Sequence, residues 1–235
     1  MSSWKPKRFW NTATAEATEG GYTVRLDGRP VRTPAKAAFL LPSLAMAQAA
    51  AAEWDAQQGQ VRPETMPVTR AANSAIDKVA HQFGAVVEVL AAYGETDLLC
   101  YRATGPEALV ARQAAAWDPL LRWSAEVLDA PMVATAGVMH IAQPPASLSR
   151  LRAELTAATP FELAALHDLI AITGSLILGL AVARGLIDSA EAFGISRIDE
   201  HWQAELWGVD DEAAALEATK KAALDEAARF FLLCQ

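Results

Sequence analysis

Four histidines, at positions 81, 140, 167 and 201, and two cysteines, Cys100 and Cys234, are the side chains through which this chain could do chemistry near neutral pH. His201 and Glu205 are i, i+4 neighbours able to share a proton or contribute to a metal site. Further ligands at suitable spacing are missing, so a solvated ion pair or hydrogen bond is the simpler reading. His167 and Asp168 are adjacent and project about 100° apart on a helix, which keeps one from facing the other. Asp199 and Glu200 diverge in the same way and make a poor catalytic carboxylate pair. The cysteines show neither a CxxC pattern nor metal-ligand spacing and read as two structural thiols in a reducing compartment. There is no GxSxG, no HExxH, no GxGxxG after a strand and no phosphate-binding glycine loop ending in Lys-Ser or Lys-Thr. Catalysis therefore has little support, and no cofactor or metal is expected.

The elements that carry these residues are organised around the stretch from Thr159 to Gly185. Thr159 can cap a helix, Pro160 suits its first turn, and Glu162 completes a capping box. Arg184 suits a C-terminus that Gly185 can close, which predicts one helix of about 25 residues and about 37 Å. No residue from Leu169 to Ala183 is charged. That run is shorter than the roughly 20 residues of a bilayer span, and His167 and Asp168 interrupt any upstream extension. The expectation is a buried helix wrapped by the others, with no stable membrane insertion. Gly174, Ser175 and Gly179 read as small residues that let neighbouring helices come close.

Residues 8 to 41 read as strands, with Asp27-Gly28 as the dipeptide best suited to a tight hairpin turn. Ser43 then caps an alanine-rich helix, and a connection with two prolines, Gln60 to Pro67, marks the change to helical composition. The predicted fold is α+β: a small N-terminal β-rich domain with one helix over residues 1–65, then a larger all-helical domain over 66–235 around the buried central helix. Within that domain Asp118-Pro119 looks like a cap and first-turn proline that restart a helix, and Pro131 to Ile141 is ambiguous between strand and loop. Asp188 and Glu191 make a second capping box. Ser196 can cap the next helix, with Asp199 three residues on. Ile198, Trp202 and Leu206 share one face of it, and Glu200, His201, Gln203 and Glu205 share the other. A last helix, from about Asp210 to Leu233, should turn Leu216, Ala223, Ala227 and Phe230 or Phe231 inward.

With 235 residues, 52% hydrophobic and 20% charged, the chain has material for a sizeable core. Its net charge of −8 is unevenly spread: residues 1–36 hold seven Lys/Arg against three Asp/Glu, and residues 188–235 four against eleven. Opposite fields at the two ends can steer a protein partner or be ordinary solvated faces. The small basic part lacks an RNA-binding aromatic motif, which argues against nucleic acid. The basic start Lys5, Lys7, Arg8 holds tryptophans rather than an apolar signal core or an Arg/Ser-rich presequence, so a bacterial cytoplasmic protein is expected. Helical phase assigns Trp54, Trp117 and Trp202 to the core. Trp4, Trp10 and Trp207 stand near segment ends as candidates for an exposed surface, burial being the competing reading.

The series KPKRFW, GYTVRLDGRPVRTP, LPS, AEWDAQ, MPVTRAANSAID, ETDLLCYR, QAAAWDPLLRW, TGSLILGLA and IDEHWQAELWG resembles, in order and spacing, the assembly chaperone family for the α subunit of the F1 ATP synthase. The resemblance spans nearly the whole chain. It implies an N-terminal β-rich domain and a C-terminal helical one. It further implies a non-enzymatic chaperone that holds unassembled F1 α subunit until the β subunit takes its place; relatives with a presequence work in the mitochondrial matrix. A monomer is expected, although the resemblance itself does not give the oligomeric state. The resemblance also implies an important acid in IDEHWQAELWG, matching Asp199 or, one residue on, Glu200. Gln203 and Trp207 complete the partner-binding patch expected there. A small-molecule binder or enzyme using an interdomain cleft, with Arg29, Arg32 and Asp97 as polar groups, is the alternative.

Overall fold

The computed structural model describes residues 7–235; Trp4 and Lys5 lie outside them. Asp27 and Gly28, with φ of 46° and 81°, form the expected two-residue turn, since two left-handed residues match the twist of the strands they join. Strand β1 (Ala13–Thr18) pairs antiparallel with β2 (Gly21–Leu26), from Ala13 opposite Leu26 to Thr18 opposite Gly21. β2 also pairs with the short β3 (Arg29–Pro30). The Asp27 carboxylate accepts the N–H groups of Thr12 and Asn11, each at 3.0 Å. These bonds hold it below the ordinary carboxylate range.

Helix α1 (Leu44–Asp55) starts where Ser43 Oγ accepts the N–H of Met46 at 3.0 Å. It places Met46, Ala47 and Ala50 in one core with Val24, Leu26 and Phe39 of the strand region. Helix α2 (Pro67–Asp77) has no side-chain cap of its own preceding residue. Glu53 of α1 supplies one, its two oxygens accepting Val68 N–H and Thr69 N–H at 2.7 and 2.8 Å. Burial pushes the Glu53 carboxyl upward against those bonds. A division at residue 65 would separate this cap from its helix; the first compact unit runs on to Phe83 and takes in Thr159–Ala165 and Arg229–Gln235. Trp10, a candidate for the surface, is 4% exposed in this core, edge-on to Trp54 with ring centroids 5.2 Å apart. Arg8 causes this by donating to the carbonyls of Asp55 and Gln57, which lays the segment before β1 against the end of α1.

The second unit holds Gly84–Ala158 and Leu166–Ala228. Its elements are α3 (Phe83–Ala91), β4 (Tyr101–Arg102), α4 (Glu107–Val127), β5 (Thr135–Ala136), α5 (Pro145–Thr156), most of α6 (Pro160–Thr173), α7 (Leu176–Ala183), α8 (Ser189–Ser196), α9 (Ile198–Trp207) and most of α10 (Asp211–Leu232). A small N-terminal sheet region thus precedes a larger helical part, an α+β arrangement. That part is not wholly helical, because β4 and β5 pair in parallel. α4 runs through Pro119 instead of restarting at Asp118. A proline removes one helix hydrogen bond, and the buried Trp117 and Leu120 on either side keep both halves on the core. Asp118 pairs with Arg102 at 2.8 Å.

The predicted central helix is two helices. Its start is as read, with Thr159 N–H donating to Glu162 at 2.7 Å and Glu162 N–H donating to Thr159 Oγ1 at 3.2 Å. Gly174 then turns left-handed, at φ 70°, and Ser175 becomes the cap of α7 by accepting Leu178 N–H at 3.0 Å. Asp97, fully buried, completes the cap: it accepts Ser175 Oγ–H at 2.7 Å, Leu99 N–H at 3.0 Å and Ile177 N–H at 3.1 Å. A carboxylate at a helix N-terminus is favoured by the dipole. Burial nevertheless raises its pKa to about 6, against the bonds from Ser175, Ile177 and Leu99. α7 itself is buried from Leu176 to Ala181. The last helix follows expectation in its second half, where Ala227 and Phe230 are buried together with Leu224, and departs from it earlier, where Leu216 is 56% exposed and Ala223 also faces solvent.

Two predictions test this core. A Cβ at Gly179 would sit 2.5 Å from Cγ1 of the buried Ile170. Gly179→Ala is therefore expected to lower stability by about 1–3 kcal/mol in urea unfolding. The Asp97 pKa lies above its ordinary 3.8 in the folded state. Its contribution to stability is therefore full below about pH 4 and is lost as pH rises through about 6. Asp97→Asn removes that titration. Unfolding free energies measured from pH 7 down to about 4.5 should show the wild type gaining on the variant as pH falls; a constant difference would contradict the assignment.

Candidate functional site

The candidate residues Asp199, Glu200, Gln203 and Trp207 all lie on α9, and the start of that helix is set differently from the sequence reading. Ser196 is the last residue of α8 and donates its hydroxyl to Phe193 O at 2.8 Å, so it does not cap α9. Arg197 occupies the cap position without a side-chain cap bond. Its guanidinium pairs with Glu200 at 2.5 Å, donates to Ile172 O at 2.9 Å and lies over the Phe193 ring at 5.6 Å. Arg197 thereby satisfies a carbonyl at the C-terminal end of α6, where cations are favoured, and ties α9 to that end.

Asp199 is freed from capping and does something less local. Its Oδ1 accepts Gln113 Nε2–H at 2.6 Å, while Gln113 Oε1 accepts Ala103 N–H at 2.8 Å. Gln113 is completely buried on α4. The side chain of Asp199 is thus half interior, and Glu200 beside it faces solvent. Arg112, next to Gln113, forms a two-pronged pair with Glu205 at 2.7 and 2.9 Å and lies 4.9 Å from the Trp202 ring. The Arg112 hydrogen bonds hold the Glu205 carboxyl below its usual range. α9 is accordingly fixed to α4 along its inner face by Asp199, Trp202 and Glu205.

Asp199, Glu200 and Gln203 are brought together with Leu98, Thr173, Arg197 and Lys220 around an open depression of about 660 Å³. Trp207 is not part of that lining. It stands at the end of the helix, 79% exposed. Leu206, expected on the inner face with Ile198 and Trp202, is also exposed, since in that turn it is Glu205 that meets α4 through Arg112. The proposed His201–Glu205 neighbours part company: His201 Nε2 pairs with Glu217 of α10 at 2.7 Å. His167 and Asp168 do meet, Nδ1 to Oδ1 at 2.8 Å, because two exposed side chains can bend together despite diverging Cβ directions. That bond raises the His167 pKa. Asp97, a candidate polar group for a ligand cleft, is consumed by the α7 cap and offers no open face. Gln113 and Arg112 went unnoticed in the sequence. The signal for Gln113 is its phase: Leu109, Gln113, Trp117, Leu120 and Ser124 form one buried face of α4, and a glutamine there must find partners.

Among the described residues no group of three or more His, Cys, Asp or Glu is placed to hold a metal ion. None of their helices is long and apolar enough to cross a membrane. Residues 7–125 match the family model described as ATP12 chaperone protein. The crystal structure of Atp12 from Paracoccus denitrificans, 52% identical, superposes with a TM-score of 0.95 over 97% of this chain and 98% of that one. The chain belongs to the ATP12 chaperone family. A protein from Agrobacterium tumefaciens is 44% identical, with a TM-score of 0.93 over 98% of this chain and 87% of its own. The mitochondrial protein atp12 of Schizosaccharomyces pombe is 23% identical over 225 residues, 90% of this chain and 77% of that protein. The ATP12-family match stops at residue 125 in the family model, whereas the solved relatives extend it over α9 and α10.

The geometry separates two substitutions at Asp199. Asp199→Ala leaves the buried Gln113 donor unpaired and should cost about 1–3 kcal/mol of unfolding free energy. Asp199→Asn keeps an acceptor oxygen and should cost clearly less in the same chemical denaturation measurement. Equal losses would contradict the tether.

Proposed function

We propose that this ATP12-family protein holds the unassembled α subunit of the F1 ATP synthase in the bacterial cytoplasm, as a monomer and without catalytic turnover, until the β subunit replaces it. The observation that carries this reading is the likeness to Paracoccus Atp12 along nearly the full length of both chains. An α subunit alone exposes surface that it later buries against β, and unpaired apolar interfaces of that kind aggregate. A chaperone that covers the surface lowers the free concentration of the aggregating species by mass action. Release follows from competition, when β offers the better-fitting interface, so the chaperone itself needs no nucleotide.

α9 suits such a role through its two unlike faces. Its inner face is fixed to α4 through Asp199, Trp202 and Glu205, so little ordering cost falls on binding. Its outer face leaves Gln203 and Trp207 open to solvent, with Glu200 half engaged by Arg197. We assign the client contact to Glu200, Gln203 and Trp207, and to Asp199 the work of holding them in place.

Light scattering after dilution of denatured F1 α subunit tests the reading, with β subunit and an unrelated aggregating protein in parallel. Suppression for α alone, reversed when folded β is added, is the expected result. Equal suppression of all three would make the protein a general holding chaperone, and no suppression would contradict the proposal.

A further inference from the structure

Trp207 does not stand alone. Leu206 is 58% exposed, Val209 71% and Leu216 56%, so four large apolar side chains lie open within a short stretch around the end of α9 and the start of α10. The chain doubles back there, because His201 on α9 pairs with Glu217 on α10 at 2.7 Å. Beyond that clasp the two helices cover each other poorly: from Gln203 to Ala223 only Ala204 and Glu217 are even partly shielded. A helix end that hides none of its apolar residues does not owe its sequence to this protein's own core.

The charge of the same stretch is one-sided. Between Ile198 and Glu217 there is no Lys or Arg. Glu200, Glu205 and Glu217 are engaged by Arg197, Arg112 and His201. Asp210, Asp211 and Glu212, at the turn itself, are exposed and form no salt bridge among the described residues. Asp210 only accepts Glu212 N–H, at 2.9 Å, as a helix cap does.

We infer that the α9–α10 hairpin end is a docking finger for a protein surface that is apolar at its centre and rimmed by Lys or Arg, with Leu206, Trp207, Val209 and Leu216 entering the centre and Asp210, Asp211 and Glu212 meeting the rim. The inference rests on the client reading above, and names the chemistry of the α-subunit surface that would be covered. Complementary charge steers encounter and rejects wrong partners, while the buried apolar anchors supply the affinity. An anionic lipid surface is repelled by the same acids, and so is the identical finger of a second copy.

The test uses the full chain and F1 α subunit diluted from denaturant, with scattering referred to α alone at each salt concentration. One variant is Leu206→Ser/Val209→Ser/Leu216→Ser. The other is Asp210→Asn/Asp211→Asn/Glu212→Gln, which keeps the cap because asparagine serves at that position as well as aspartate does. Both leave Asp199, Glu200, Gln203 and Trp207 intact. The apolar variant is expected to need roughly tenfold more protein for half-suppression, with its melting temperature unchanged. The neutralised variant is expected to lose the weakening that the wild type shows between about 50 and 300 mM salt. Wild-type potency in the apolar variant, or an unaltered salt response in the neutralised one, overturns the finger while leaving the client reading intact. Failure of the wild type itself to suppress scattering overturns the client reading and the finger with it. Concentration-dependent dimerisation of the wild type that the apolar variant abolishes would overturn the inference in favour of a second copy.

Discussion

A carboxylate sealed away from water is costly unless its oxygens are met by donors, and the second unit is arranged to meet those of Asp97. Ser175, Ile177 and Leu99 all donate to it. The first two can do so only because Gly174 breaks the apolar helix and exposes a helix N-terminus in the middle of the core. The third fixes the turn that leads into β4. From there hydrogen bonds continue outward: Arg102 donates to Leu99 O, Ala103 N–H to Gln113, and Gln113 to Asp199. A buried charge, a broken helix, a buried glutamine and a half-exposed aspartate thus form one connected polar path from the core to α9. Each member is costly to leave unpaired, so the path specifies how α9 sits on α4 more sharply than apolar packing alone would.

That arrangement matches the two requirements of the docking surface proposed here. The inner face of α9 is held by charged and aromatic contacts to α4, and the outer end projects apolar side chains that no other described residue of the unit covers. In the proposed role the rigid anchor and the adhesive end share one helix, so a client would meet a pre-ordered surface. The acids at the exposed end would disfavour pairing of two identical ends, since like charges would face each other there.

What the sequence made legible was local. The Asp27-Gly28 turn, the Ser43 cap, the Thr159–Glu162 box and the cap by Asp188 are written in residues one to three positions apart, and all are present. What it hid was distant. Asp97 and Ser175 lie 78 residues apart, and Gln113 and Asp199 lie 86 apart. Without those partners Gly174-Ser175 reads as close-packing residues inside one helix and Asp199 reads as a capping residue. The same holds for Trp10 and Leu216. Whether an aromatic near a strand is buried, or the first half of a helix packs, depends on which neighbour arrives. The family resemblance carried the function because ordered motifs along the whole chain record such distant partners without revealing them.

Backbone hydrogen exchange of this protein, alone and mixed with F1 α subunit, locates the surface that a client covers. Exchange is expected to slow across residues 198–217 on adding α subunit, with the strands at residues 13–26 unchanged. Protection confined to other segments, with residues 198–217 exchanging as in the free protein, would contradict that placement.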